Sequence, residues 1–283
     1  MRCASGNLEA WKLNKLAKRT IVGTILGTIT AIILYINPLA VFIVLLVWIA
    51  LATNEFLRIL ETKQIQINRL LLIGLNLLFP IIFYFKISPI WYLIPPMVFF
   101  VYALIKHEHY YQLAPAGIFT LLYLGFLPSH LLYLKTWVWG HQFPMLRGFF
   151  VVFFPLAFTW VNDTAAYFVG TLIGRHKLAE KISPNKTIEG FVGSIIVSVA
   201  FSYFYLRALF PDVMVWIALG SGFVLSIAAQ IGDLVESGFK RDANLKDSSR
   251  ALGEHGGFLD RVDSLLFTIP IFYYLLIYLI IHE

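Results

Sequence analysis

The segment 232–264 contains the densest group of ionisable side chains in the chain. Seven carboxylic acids, five basic residues and one histidine lie there between two strongly apolar stretches. Charge this dense beside hydrocarbon is costly to desolvate and is usually retained for function. We therefore expect the chemistry of the protein to be centred on this segment.

Two pairs of carboxylates stand at the ends of the segment. Asp233 and Glu236 are three residues apart, and so are Asp260 and Asp263, so each pair can share one helix face. The loop between the pairs can bring them together. Such oxygen ligands suit Mg²⁺, which commonly takes one or two carboxylates with water and substrate phosphates. These four residues are our metal-ligand candidates and Mg²⁺ is the expected cofactor; the sequence leaves open whether a second cation joins it.

Basic residues lie between the two carboxylate pairs. Lys240, Arg241 and Lys246 place positive charge beside the acids. Carboxylates for a metal and bases for phosphate together suit phosphoryl-type transfer, in which catalysis is mainly positioning and charge neutralisation. Asp247 and His255 complete the candidate catalytic set.

Two glycines follow the histidine. Gly256 and Gly257 allow a ligand to approach the backbone closely, and with Ser237 and Arg261 they are substrate-binding candidates. Structural alternatives exist: Lys240, Arg241 and Arg250 can be membrane anchors. The two glycines can form an ordinary turn, and Asp263 can cap a helix. The order in which all of these residues occur favours the functional interpretation.

A second polar segment follows another apolar stretch. Asp163 falls within or near the end of a predicted span, where an acid is expected to be paired or functional. Ser183-Pro184, followed by Lys186 and Thr187, is typical of a loop feeding a helix whose N-terminus binds an anion. Alternatively, Ser183 caps that helix with Pro184 in its first turn. Asp163, Ser183, Lys186 and Thr187 are further substrate-binding candidates.

Composition indicates that most of the surface faces lipid. Hydrophobic residues make up 59% of the chain and charged residues 13%, about half the usual share of a soluble protein. Backbone groups in lipid must be satisfied locally, so we predict an all-α polytopic integral membrane protein with about nine transmembrane helices. The predicted spans are 20–36, 38–53, 69–85, 88–105, 113–134, 147–170, 188–209, 212–232 and 264–281. We expect the first to be a retained helix rather than a cleaved signal peptide.

Positive charge orients these spans. With the N-terminus in the cytoplasm, 18 of the 22 lysines and arginines fall on the cytoplasmic side, as expected for membrane proteins. Residues 1–150 then form an N-terminal membrane-helix scaffold. Residues 151–283 form a C-terminal catalytic region with cytoplasmic-face segments 171–187 and 233–263.

Both polar segments resemble those of the phosphatidate cytidylyltransferase (CDP-diacylglycerol synthase) family. The run 237–263 resembles the family signature at essentially every specified position, and residues 163–190 look like a second family block. The resemblance is strong over about residues 160–265. The first half of the chain is similar mainly in being hydrophobic and helical.

The resemblance implies a reaction in which phosphatidate and CTP give CDP-diacylglycerol and pyrophosphate with Mg²⁺. It implies that Asp233 and Asp260 hold the metal and that Lys240, Arg241 and Lys246 bind phosphates. It also implies an all-helical homodimer with nine spans. The expected partners are CTP, phosphatidate, membrane lipids and a second copy of the chain, with no nucleic acid. The expected location is the bacterial inner membrane, with the active site facing the cytoplasm.

Other function classes stay open as alternatives. A CTP-dependent lipid-alcohol kinase would transfer the terminal phosphoryl group, so its products would be a lipid phosphate and CDP. A transporter would place charges along midplane helices and show internal pseudo-symmetry, whereas these charges cluster at one face. The closely spaced aspartate and glycine pattern of CDP-alcohol phosphotransferases is not found.

Overall fold

Helices account for nearly all of the regular structure in the computed structural model of the chain. The structure describes residues 23–25, 27–106, 110–141, 143–249, 251 and 256–280. The helices are α1 (Gly23–Tyr35), α2 (Pro38–Thr62), α3 (Arg69–Tyr84), α4 (Ile94–Lys106), α5 (Tyr110–Thr120), α6 (Leu127–Gly140), α7 (Met145–Ile173), α8 (Ile188–Leu209), α9 (Val215–Asp242) and α10 (Asp263–Leu275). A π-helical turn, Leu121–Phe126, joins α5 to α6, and another, Leu276–Ile280, extends α10.

The predicted spans correspond to these helices. Within the described residues, seven helical stretches are long and apolar enough to cross a membrane, with α5 and α6 counted as one stretch. Two shorter apolar helices, α1 and α3, occupy the positions of the first and third predicted spans. The all-α membrane architecture is therefore confirmed. The count of nine stays a prediction, since the 16 residues of α3 fall short of the roughly 20 needed for a perpendicular crossing.

The segment 171–187 forms a β-hairpin. Strands β1 (Lys177–Ala179) and β2 (Ser183–Thr187) pair antiparallel, with Ala179 opposite Ser183. The alternative in which Ser183 caps the next helix is wrong, because Ser183 begins β2. Thr187 is the N-cap of α8 instead: its backbone is extended, and its Oγ1 accepts a hydrogen bond from Gly190 N at 3.1 Å.

Helix α9 continues ten residues beyond the predicted end of the eighth span. The segment 233–263 therefore begins as helix, and its first carboxylates and bases stand on α9 rather than in a loop. Polar side chains one helical turn apart contact each other there. Lys240 Nζ lies 2.9 Å from Glu236 Oε1, and Ser237 Oγ donates a hydrogen bond to Asp233 Oδ1 at 3.2 Å. These local partners allow the helix to leave its apolar surroundings without ending.

The start of α10 differs from the capping alternative for Asp263. Val262 occupies the N-cap position and Asp263 is the first helical residue, where its Oδ1 accepts a hydrogen bond from Ser264 N at 2.6 Å. An acid in the first turn still favours the helix dipole. The carboxylate of Asp263 therefore stays beside the end of α9.

Helices α7, α8 and α9 pack side by side and carry most of the site. Small residues permit the close packing: Ser194, Ser198 and Ser202 recur every four residues on α8 and are fully buried. A side chain at Gly222 on α9 would lie 2.7 Å from Val199 Cα and 3.0 Å from Ser198 O. Small residues at helix contacts are typical of membrane bundles, where backbones approach closely.

Candidate active site

A cavity of about 550 Å³ lies between the C-terminal end of α7, the hairpin, and the facing parts of α8 and α9. Among its polar lining residues are Asp163, Lys186, Thr187, Gln230 and Asp233. Four of these five were candidates from the sequence alone. The cavity therefore brings the two polar segments of the chain together.

Lys186 is the best-positioned cation of this cavity. Its Nζ lies 2.7 Å from Asp233 Oδ2 and donates a hydrogen bond to Gln230 Oε1 at 3.3 Å. Gln230 is itself buried and donates through Nε2 to Ser194 Oγ at 3.3 Å. Two residues of α9 thus hold the ammonium group of Lys186 against the cavity wall. Lys186 itself belongs to β2, so this contact joins the hairpin to α9.

The N-terminus of α8 forms another part of the lining. Thr187 and Gly190 line the cavity there, where the positive end of the helix dipole favours an anion. Glycines let α7 come close: a side chain at Gly190 would lie 2.7 Å from Ala166 O and 3.1 Å from Gly170 Cα. This end of the cavity suits a phosphate group.

Lys240 is the centre of a second, more buried cluster. Its Nζ lies 2.9 Å from Glu236 Oε1 and 2.6 Å from Asp260 Oδ1. Asp260 Oδ2 also accepts hydrogen bonds from Ser248 N at 3.0 Å and from Gly257 N at 2.7 Å. Burial alone would raise the pKa of Asp260, but its hydrogen bonds with Glu236, Lys240 and Gly257 lower that pKa to about 2. Asp260 is therefore ionised at neutral pH.

The carboxylates of the two clusters are neighbours. Asp263 is near enough to Asp233 and Asp163 for their negative charges to interact. With Glu236 and Asp260 there are five acids, set against the ammonium groups of two lysines. The acids therefore outnumber the lysines, and like charges this close disfavour full ionisation of all five.

This donor set fits a hard divalent cation. Within the described residues, no three histidine, cysteine, aspartate or glutamate side chains form a ready ligand group. Mg²⁺ commonly takes only one or two carboxylates and obtains its other ligands from water and substrate phosphates, and its binding here stays a prediction.

Glu55 holds the loop that carries Asp260. It is 3% exposed, and its Oε1 accepts hydrogen bonds from Ser249 Oγ at 2.5 Å and Phe258 N at 3.1 Å. Its Oε2 accepts from Ser248 Oγ at 3.1 Å and Leu259 N at 3.0 Å. A carboxylate from α2 in the first half of the chain therefore organises the loop of the second half.

The two loop glycines pack against these carboxylates. Gly256 has a φ of +78°, which favours glycine, and Gly257 has no room for a side chain. A Cβ at Gly257 would lie 2.0 Å from Ser248 Oγ and 2.5 Å from Glu55 Oε2. The loop itself therefore needs glycine at these positions, because side chains of the same protein lie against the backbone there. Contact between these glycines and a substrate stays a prediction.

Several candidates lie away from both clusters. Arg241 is exposed and donates to Ile182 O at 3.2 Å and Leu245 O at 3.0 Å, so it joins the hairpin to the loop after α9. Ser183 stands in β2 and does not line the cavity. The exposed candidates are Lys246, Asp247 and Arg261. His255 lies outside the described residues, and the roles of all these residues stay predictions.

Several polar residues of the cavity were not among the predicted site residues. Gln230, Lys177 and Asn185 line it beside the predicted residues. The signal for Gln230 was available, because a glutamine three positions before Asp233 in an apolar span must share its helix face. Lys177 could not be assigned to the cavity from the sequence, because it reaches the cavity only through the pairing of β1 with β2 in the hairpin.

Comparison with known proteins identifies the family of this chain. Residues 17–279 match the model of the cytidylyltransferase family. Over 131 residues the chain is 48% identical to a phosphatidate cytidylyltransferase of Staphylococcus aureus strain COL, covering 46% of this chain and 50% of that protein. Proteins of the same name from Staphylococcus saprophyticus and Staphylococcus haemolyticus are 45% and 46% identical, with the same shares covered. The chain spans about half the length of the curated relatives it matches.

Proposed function

This chain belongs to the cytidylyltransferase family, and we propose that it transfers the cytidylyl group of CTP to phosphatidate, giving CDP-diacylglycerol and pyrophosphate. The observation that carries the proposal is the polar cavity at the ends of membrane helices. It combines Lys186 and the N-terminus of α8, which suit phosphate, with Asp233 and Asp163, which suit a metal. A nucleotide and a lipid headgroup are both anionic and need such a site.

Mg²⁺ is the proposed cofactor. Asp233 and Asp163 line the cavity and Asp263 lies near them, so these residues would hold the ion. Asp260, which pairs with Lys240, completes the predicted set. When bound, Mg²⁺ would neutralise phosphate charge and polarise the phosphoryl oxygens.

The protein side chains then act mainly by positioning. An ionised oxygen of phosphatidate forms a bond to the α-phosphorus of CTP as the bond to pyrophosphate breaks, and this oxygen needs no strong base. Lys186 binds phosphate oxygens from the cavity wall, oriented by Asp233 and Gln230. Lys240 keeps Glu236 and Asp260 together, which preserves the loop at the edge of the site.

The test is an assay of purified protein in detergent with phosphatidate, CTP and Mg²⁺, measuring CDP-diacylglycerol and pyrophosphate. We expect Asp233→Asn and Asp260→Asn to lose at least about 100-fold in activity, because charge stabilisation at such sites is worth that much. Asp242→Asn is the matched control, since this exposed α9 residue pairs with Lys63 at 2.9 Å, away from both clusters.

Each outcome separates the alternatives. Lipid phosphate and CDP as products would indicate the lipid kinase instead. Full activity in both variants would contradict the metal assignment. No CDP-lipid from a well-folded parent protein would overturn the proposed reaction.

Orientation and assembly belong to the same proposal. The hairpin and the end of α9 share the side that carries most of the basic residues, which supports a site facing the cytoplasm of a bacterial inner membrane. The homodimer implied by the family resemblance is tested by the mass of the purified protein in detergent.

A further inference from the structure

A second cavity, of about 190 Å³, lies within the membrane-helix bundle. Helices α1, α2, α6, α7 and α10 surround it, and apart from one threonine its wall is apolar or aromatic. Leu45 and Trp48 of α2, Leu156 of α7, and Val262 and Leu265 at the start of α10 are among the lining residues. The function proposed above assigns nothing to this cavity.

One face of α7 connects this apolar cavity to the polar cavity. Val152 and Leu156 line the apolar cavity, and Asp163 lines the polar one. Spacings of four and seven residues place these three side chains on the same face of a helix. At 1.5 Å per residue, Asp163 lies about 16 Å along the helix axis from Val152.

Helix α10 and its preceding loop bring the apolar cavity close to the carboxylate group. Val262 and Leu265 line the apolar cavity, whereas Asp263 between them belongs to the carboxylate group. Trp48 lines the apolar cavity and donates through Nε1 to Phe258 O at 3.2 Å, in the loop that carries Asp260.

We propose that this apolar cavity binds an acyl chain of the lipid whose phosphate reacts in the polar cavity, an inference that rests on the proposed function. An acyl chain is long and apolar, so it can reach this cavity from a headgroup beside Asp163, about 16 Å along the helix axis from Val152. One acyl chain therefore lies along α7 while the headgroup stays beside Asp163.

The shape and chemistry of the cavity argue against a protein helix or a polar ligand as its occupant. A helix of a partner protein is about 10 Å across, too wide for a space of about 190 Å³. A nucleotide or another polar ligand would leave its hydrogen-bonding groups unsatisfied against an apolar wall. A hydrocarbon chain is narrow enough for this space and has no hydrogen-bonding groups to satisfy.

The kinetic test fills the cavity with larger side chains. Leu156→Trp and Leu265→Trp should raise KM for phosphatidate with long acyl chains by about tenfold, since even two displaced methylenes account for that change. The KM values for CTP and for dihexanoyl phosphatidate should stay within about twofold, because a six-carbon chain ends before Leu156. Leu146→Trp is the matched control, an exposed leucine on the same helix.

A binding test proceeds without turnover. Phosphatidate with a photoreactive diazirine in mid-chain, added to the parent protein in nanodiscs, should label peptides containing 152–156 and 265–269. Leu156→Trp should reduce this labelling, whereas Leu146→Trp should not.

The outcomes distinguish this inference from the proposed function. Equal losses with long and short chains, or labelling only at lipid-facing positions, would overturn the acyl-chain site even if CDP-lipid is formed. Labelling at the cavity by a protein that forms no CDP-lipid would support the lipid site and overturn the proposed reaction instead.

Discussion

Two lysines and the acids around them form the chemical centre of this protein. Lys186 pairs with Asp233 at the cavity wall, and Lys240 pairs with Glu236 and Asp260 behind it. The first pair is partly exposed and can exchange its partners for substrate phosphate. The second is nearly buried and also holds α9 and the following loop together.

Replacement of Lys186 tests the role of the exposed pair. Lys186→Met should raise KM for a phosphate-bearing substrate by about 10- to 100-fold, because charge-assisted hydrogen bonds to phosphate are among the strong ones. Lys181→Met, in the exposed turn of the hairpin, should change KM by less than about twofold. Steady-state kinetics with each substrate varied in turn decides this, and equal KM values in both variants would contradict it.

The low pKa of Asp260 predicts a stability change in acid. Its pKa of about 2 lies below the ordinary value of 3.8, so the unfolded chain binds the proton at higher pH than the folded protein. The stabilisation, about 2 kcal/mol, is therefore complete above about pH 4 and is lost as the pH falls towards 2.

Thermal unfolding in detergent measures this effect. Between pH 4 and pH 2, the Tm of the parent protein should fall more steeply than that of Asp260→Asn, which has no carboxylate to protonate. Parallel slopes for the two proteins would show that Asp260 does not have the lowered pKa.

At the scale of elements, the crossing of α9 and α10 determines where the carboxylates meet. A side chain at Gly232 would lie 2.6 Å from Asp263 O and 3.0 Å from Ser264 Cα. Because glycine has no side chain, the backbones of α9 and α10 can come into contact just before Asp233. The two predicted carboxylate pairs therefore face each other through backbone contact.

Enlarging this glycine should separate the two helices. We expect Gly232→Ala to destabilise the protein by about 1–3 kcal/mol, the usual cost of overpacking, and to lower activity with it. Gly238→Ala, on the same helix with nothing within 4 Å of the added carbon, should be neutral or stabilise by up to about 1 kcal/mol. Thermal stability of both variants in detergent is the measurement, and equal effects would contradict the close crossing.

At the scale of the whole molecule, the site depends on both halves of the chain. Glu55 of α2 accepts hydrogen bonds from a loop 204 positions later, and each of the two buried apolar clusters contains residues from both halves. The division at residue 150 stays a prediction about where the chemistry lies. The first half nevertheless holds the loop that carries that chemistry.

Replacement of Glu55 tests this dependence. Glu55→Gln should lower kcat at least about tenfold, because the amide cannot accept all four loop donors and unsatisfied buried donors cost about 1–3 kcal/mol each. Amide hydrogen exchange in residues 256–260 should rise with it. Glu61→Gln, exposed on the same helix and paired with Arg69 at 2.8 Å, is the control, and unchanged exchange in Glu55→Gln would contradict the role of this carboxylate.

The sequence alone determined the membrane architecture and the kind of chemistry. Apolar runs predict helices because lipid leaves no other way to satisfy the backbone, and the predicted positions agree with the helices observed. The order of acids, bases and glycines in 232–264 identified a family that the comparison with known proteins confirms. Such signals are local, so they can be obtained without tertiary contacts.

Only the tertiary structure decided which groups are partners. Lys186 pairs with Asp233 across two elements, Gln230 enters the cavity, and Glu55 binds a distant loop. The hairpin and the extension of α9 also depend on contacts that periodicity does not encode. The physical reason is that side-chain partners follow from how helices cross, and crossings such as that at Gly232 depend on the packing of residues far apart in the chain.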